Sequence, residues 1–274
     1  MAFINTNMSA MRAANASNSA GQMLGTSMQR LSTGKRINTA KDDAAGLAIS
    51  TSMTSQIMGM NQGVRNANDG ISLAQTAEGA LNEVTNMLQR VRELAVQSAS
   101  GTYQSADRTN MQSEVSSLTT QVASVLGNTQ FNGNPLISTT AGTNLTFDIQ
   151  AGANSTDTIT LTSAAIDGTN ISATALDVTT PALATTTMAN VDLALAEVSN
   201  SNAGFGAGES QLTSAVNNLT SNATNLSDAR SRIMDTDYSV ETTAMAKAQI
   251  LNQASTAMIA QANQSAQNVL SLLK

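Results

Sequence analysis

The chain has 274 residues and carries only 12% charged residues, with a net charge of -6. An acidic, sparsely charged chain lacks the basic footprint of a nucleic-acid binder, and a weakly charged surface repels copies of itself only weakly. It contains no Cys and no His, which removes disulfides, thiolate chemistry and the commonest general base and metal ligand. Aromatic residues make up 2%, against 14 Met and many Ala, Leu and Val, and there are only two Pro. Small and unbranched apolar residues without proline suit long helices packed side by side. No stretch supplies the about 20 apolar residues that a membrane-spanning helix needs. The N-terminus has no basic region followed by an apolar run, so export would need a route other than a cleaved signal.

In chain order, a first helix is expected over about 4–33, with a stripe through Ile4, Met8, Met11, Leu24, Met28 and Leu31. Asp42 and Asp43 then read as caps of a second helix rather than as a metal or catalytic pair, because no third ligand lies near them in sequence. That helix spans about 44–100. Its seam runs through Met53, Ile57, Met60, Val64, Ala67, Ile71 and Ala74, then Ala77, Leu81, Val84, Leu88, Val91 and Ala95. The steps alternate four and three, a heptad, with a stammer at Ala74 where two steps of three meet. Gly59, Gly63, Gly70 and Gly79 fall inside it, each costing about 1 kcal/mol relative to Ala. At 1.5 Å per residue the helix is roughly 80 Å long, which predicts a rod rather than a compact globule.

A third helix carries Met111, Val115, Leu118, Val122 and Val125, and ends near the turn signal Asn132-Gly133. The Thr- and Gly-rich middle, about 136–175, holds two alternating stretches, 145–149 and 158–162, that predict a small β-hairpin. Residues 179–187, interrupted by Pro181, read as loop. Heptad spacing returns with Met188, Val191, Leu195, Val198, Phe205, Leu212, Val216, Leu219, Ala223, Leu226 and Ile233. The last segment, about 240–273, places Leu251, Met258, Ala262, Val269 and Leu272 on one stripe with Ala244, Ala248 and two serines. Neither terminal helix has a partner within its own part, so the two are expected to pair with each other. Their stripes are too poor in large residues to stand alone and call for neighbouring copies. The methionines read as adaptable packing between subunits rather than as a redox site. The fold class is mostly α: a long antiparallel coiled-coil hairpin or rod with a small β-hairpin in the middle. No cofactor is implied.

Several motifs carry a family likeness. Met1-Ala-Phe-Ile-Asn-Thr-Asn, Arg30-Leu-Ser-Thr-Gly-Lys-Arg-Ile-Asn-Thr-Ala-Lys-Asp-Asp-Ala-Ala-Gly46, Arg65-Asn-Ala-Asn-Asp-Gly-Ile71 and Leu88-Gln-Arg-Val-Arg-Glu-Leu-Ala-Val-Gln-Ser98 resemble the N-terminal region of bacterial flagellins. Ala229-Arg-Ser-Arg-Ile233, Asp237-Tyr238, Ala248-Gln-Ile-Leu251 and Asn268-Val-Leu-Ser-Leu-Leu273 resemble the C-terminal region. The likeness covers about 1–137 and 188–274. It implies an inner coiled-coil domain, 1–43 with 236–274, in the filament core, and an outer rod domain, 44–235. The short middle implies a nearly bare filament surface. The stretch 205–208 departs from the family pattern and predicts an interruption of the last rod helix.

The resemblance also implies partners: other subunits, a secretion chaperone on the C-terminal helix, and filament cap and hook-associated proteins. It implies an extracellular filament and no membrane insertion. Gln89, Arg90, Leu94, Gln97 and Glu114 match a patch that serves both subunit contacts and the host toll-like receptor specific for flagellin. The rival readings are a hook–filament junction protein, which shares the terminal helices, and an exported coiled-coil adhesin or immune ligand. N-x-[ST] triplets, as at Asn144 and Asn218, are expected by chance in so Asn- and Thr-rich a chain.

Overall fold

The structure, a computed structural model, describes residues 6–271, with side chains through residue 268. Five helices dominate: α1 (Met8–Thr33), α2 (Ala44–Ala99), α3 (Ser105–Asn128), α4 (Pro181–Met234) and α5 (Tyr238–Ser271). Two antiparallel hairpins lie between α3 and α4: β1 (Gln130–Phe131) with β2 (Asn134–Pro135), and β3 (Leu145–Gln150) with β4 (Thr158–Ser163). The expected order of elements holds throughout. The chain forms two compact units, residues 1–55 with 225–274, and residues 56–224, so α2 and α4 each contribute to both.

In the first unit α1 and α5 form an antiparallel coiled coil. Asn7 caps α1 by accepting from the Ala10 backbone N–H at 3.1 Å, and its amide donates to the Ala262 carbonyl of α5 at 3.0 Å. At the other end Arg30 pairs with Glu241 at 3.6 Å and the Tyr238 hydroxyl donates to the Leu31 carbonyl. Gly34 ends α1 in the left-handed region, at φ 69°. Asp43 accepts from the Gly46 N–H at 2.9 Å and caps α2 as expected. Asp42 does not cap the helix. Its carboxylate closes the preceding turn, accepting from the N–H groups of Asn38 and Thr39, and these bonds hold it below the usual carboxylate range.

The second unit is organised on a seam without the expected stammer. In the second unit the buried positions of α2 include 63, 67, 70, 74, 77, 81, 84, 88, 91, 95 and 98, an unbroken alternation of four and three, with Leu73 and Leu94 buried beside it. Gly63 and Gly70 occupy seam positions, where periodicity had moved the stripe to Val64 and Ile71. A Cβ at Gly63 would stand 2.9 Å from the Gly152 nitrogen, and one at Gly70 would stand 3.0 Å from Leu212 Cδ1 and 3.1 Å from Ile149 Cγ1. The missing side chains make room for the β3–β4 hairpin and for α4.

The same device corrects the expected break at 205–208. Helix α4 is continuous through it, and Phe205 is fully buried. A methyl at Gly204 would come within 2.5 Å of the Thr162 carbonyl oxygen, and one at Gly208 would collide with the Leu161 side chain. These glycines are a slot for β4 rather than a helix end. The inward face of the hairpin, Phe147 and Ile149 opposite Leu161 and Ile159, packs on the core. The expected loop at 179–187 is helix from Pro181 onward. Proline suits the first helical position, and Thr180 caps it by accepting from the Leu183 N–H. Asn132 (φ 50°) and Gly133 (φ 81°) form the expected tight turn.

Candidate functional site

The two units present different surfaces. On the second unit Arg90, in α2, bridges to α3. Its Nε donates to Glu114 Oε1 at 2.8 Å and its Nη1 to Glu93 Oε2 at 3.0 Å. Glu114 first, and Glu93 next, push the guanidinium above its ordinary value. Gln97 donates to the Tyr103 hydroxyl at 3.0 Å. Gln89, Arg90, Gln97 and Glu114 are exposed and lie on one face. Leu94 departs from the expected patch. It is 3% exposed, because it flanks the α2 seam beside Val91 and Ala95. The patch is therefore polar, with Leu94 as its support from below.

Two polar residues beneath that patch escaped the sequence reading. Arg108 is 8% exposed and donates to the carbonyls of Ser98 and Ser100, at 2.9 Å each, satisfying the free C-terminal end of α2. The signal was available, since Arg108 stands one step before Met111 on the α3 stripe, where an apolar residue belongs. Gln112 accepts from the Val178 N–H at 2.7 Å and ties the segment before α4 to α3.

On the first unit the expected stripes divide. The seam of α1 consists of Ala13, Ala20 and Ser27, flanked by the partly buried Ala10, Ser17, Leu24 and Leu31; that of α5 consists of Glu241, Ala248, Ser255 and Ala262, with Met245, Asn252 and Ile259 partly buried. Both alternate three and four, so the coiled coil is built from small side chains. Of the expected core residues, Leu24, Leu31 and Ala262 face this seam. Met8, Met11, Met28, Leu251 and Met258 do not; they are 40–56% exposed. Ile4 and Leu272 lie outside the described residues, as does the side chain of Val269. The seam within one subunit thus takes small side chains and leaves the larger stripe residues on its surface. Methionine outweighs alanine in any apolar stripe, although the close approach of α1 and α5 selects alanine and serine.

Among the described residues, ten of the 14 exposed large apolar side chains belong to the first unit, including Met23, Ile49, Val240 and Ile250. Met8 and Met11 lie on the side of α1 away from α5, which cannot cover them. An open groove of about 480 Å³ runs beside the seam, lined by Ser9, Arg12, Ala16, Met258, Gln261 and Ser265. Soluble monomers rarely leave this much apolar surface uncovered without a partner for it.

Comparison with known proteins bears on what that partner is. The family description "bacterial flagellin N-terminal helical region" matches residues 4–142, and "bacterial flagellin C-terminal helical region" matches residues 188–273. The chain belongs to the bacterial flagellin family. It is 43% identical to a flagellin of Halalkalibacterium halodurans over 249 residues, 90% of each chain. It is 40% identical to a flagellin of Bacillus subtilis over 302 residues, 99% of each. It is 39% identical to the flagellar filament 33 kDa core protein of Treponema phagedenis over 284 residues, 99% of each. As a flagellin it is of the short form: the two family regions leave only residues 143–187 between them, the stretch that holds β3 and β4.

Proposed function

We propose that this flagellin is the repeating structural subunit of a flagellar filament, and that it polymerises through the outer faces of α1 and α5. The observation that carries this reading is the division of the terminal helices into a small-residue seam and an uncovered apolar face. The seam holds one subunit together, and the outer methionines, Ile250 and Leu251 are left for neighbouring copies. Residues 1–43 with 236–274 then make the filament core, and 44–235 the outer rod. Gln89, Arg90, Gln97 and Glu114 make subunit contacts on the rod, and the filament stands outside the cell. The test is seeded growth. Subunits dissociated by heat and cooled with short filament fragments are expected to enter the pellet with the seeds, and a chain that stays in the supernatant would defeat the reading.

A second role is favoured by one observation. The stretch 88–97 carries Gln89, Arg90, Leu94 and Gln97 of the receptor patch without substitution, and with Glu114 of α3 four of the five patch residues are exposed on one face. Free subunits are expected to activate the host toll-like receptor that senses flagellin, with Leu94 acting from beneath. A receptor reporter that stays silent with purified subunits would remove this role. Before export the exposed face of α5, from about 235 onward, is the surface offered to a secretion chaperone. Filament cap and hook-associated proteins meet the terminal helices at the two ends of the polymer.

A further inference from the structure

We propose that the methionines on the outer faces of α1 and α5 are oxidation sites that remove a free subunit from assembly. This rests on the filament reading above and adds to it a chemical switch. The chain holds 14 Met but no Cys, Trp or His, so a two-electron oxidant finds thioethers as its principal targets. Their exposure sorts them. Met8, Met11, Met28 and Met258 are 50–56% exposed and Met23 is 43% exposed, whereas Met111 in the rod core is 8% exposed. Among the described residues six methionines are exposed; five belong to α1 or α5, none of them among the small residues of the seam, and the sixth, Met58, belongs to α2. Met8 and Met11 lie on the side of α1 away from α5, so their oxidation alters what the subunit presents to its neighbours, while Met258 borders the groove beside the seam.

The chemistry needs hydrogen peroxide and no catalyst. A sulfur lone pair attacks one peroxide oxygen, an S–O bond forms and the O–O bond breaks. The displaced oxygen leaves as water after taking up the second proton. Sulfur loses two electrons to become the sulfoxide, and peroxide is reduced to water. An adaptable apolar side chain is thereby replaced by a rigid, polar acceptor. Buried between copies without a donor, that acceptor opposes the contact the thioether made. Within a filament the same sulfurs face neighbouring subunits and the oxidant is kept out. The switch therefore acts on subunits before assembly and spares those already incorporated.

The test compares dissociated subunits and intact filaments, each treated with hydrogen peroxide, quenched, and mapped by peptide mass for the about 16 Da of each added oxygen. Free subunits are expected to gain oxygen at Met8, Met11, Met23, Met28 and Met258 well before Met111, and filaments to gain it at these positions far more slowly. Oxidised subunits are expected to elongate seeds at least about tenfold more slowly than untreated ones. Enzymatic reduction of the sulfoxides should restore the rate. A variant carrying M8L, M11L, M23L, M28L and M258L keeps the bulk of the side chains and Met58, which is 67% exposed, as an oxidisable control outside α1 and α5. It should elongate equally well before and after peroxide. Oxidised wild-type subunits that elongate at the untreated rate would overturn the proposal. So would a leucine variant that loses assembly to the same degree, or a loss that reduction does not reverse. Untreated wild-type subunits that fail to elongate would instead defeat the filament reading, and this proposal with it.

Discussion

Replacing Gly204 with alanine tests whether the glycines of α4 are a slot for the hairpin. In an exposed helix interior the change should stabilise by about 1 kcal/mol, because alanine loses less backbone freedom on folding. At position 204 the new methyl would stand 2.5 Å from the Thr162 carbonyl oxygen. The obstacle is backbone, so relief requires β4 or α4 to shift, and overpacking of this kind costs about 1–3 kcal/mol. The propensity gain offsets about 1 kcal/mol of that, leaving a net loss of up to about 2 kcal/mol and a Tm up to about 8 °C lower for a protein of this size. Gly79 is the control. It is mid-helix with nothing within 4 Å of a built Cβ, so G79A should raise Tm by about 2–4 °C. Thermal unfolding followed by circular dichroism measures both. A G204A protein that gains stability as G79A does would refute the slot, and with it the reason that α4 runs unbroken.

Other predictions follow from single groups. Glu209 is shifted above the ordinary glutamate value of 4.5, first by burial and next by the facing charge of Glu78, and its Oε1 is buried without a hydrogen-bond partner. A raised pKa means that the folded state binds the proton more tightly, so stability falls as pH rises from the unfolded value through the folded one. E209Q should therefore be more stable than wild type at pH 7, with the difference shrinking toward pH 4, as read from denaturant midpoints at a series of pH values. D43A removes the cap of α2 and should cost about 1 kcal/mol in the same assay. The ion pairs of Arg90 lie at the surface, where such pairs add little to stability. R90A should leave Tm unchanged within error while slowing seeded elongation, and an unchanged elongation rate would exclude this patch from the subunit contacts.

The sequence was most informative where hydrogen-bonding chemistry or simple periodicity decides the outcome. Asp43, the turn at Asn132-Gly133 and the alternation in β3 and β4 each signal their own geometry. It was least informative where a small residue carries the structure. A stripe read by hydrophobicity counts Gly63, Gly70, Gly204 and Gly208 as gaps, although each lets a strand or a neighbouring helix come close. Hydrophobic periodicity alone therefore puts a stammer in the α2 seam and a break in α4. Hydrophobicity likewise picks out Met8, Met11, Met28 and Met258, while the α1–α5 seam within one subunit is built from Ala13, Ala20, Ser27, Ala248 and Ser255. Likeness to a known patch groups Leu94 with exposed neighbours, while its place flanking Val91 and Ala95 of the seam turns it inward. Ile166, Ile171, Leu176 and Val178 escaped because they pack into the core from an irregular segment that has no period to detect.

The central claim is that the outer faces of α1 and α5 are completed by other copies of the chain. A cryo-electron microscopy reconstruction of filaments grown from seeds by the purified chain tests it most directly. The expected result is a helical tube in which Met8, Met11, Met28, Ile250, Leu251 and Met258 are buried against α1 or α5 of neighbouring subunits. A tube in which these side chains stay exposed to solvent, with subunits joined through the rod alone, would contradict it.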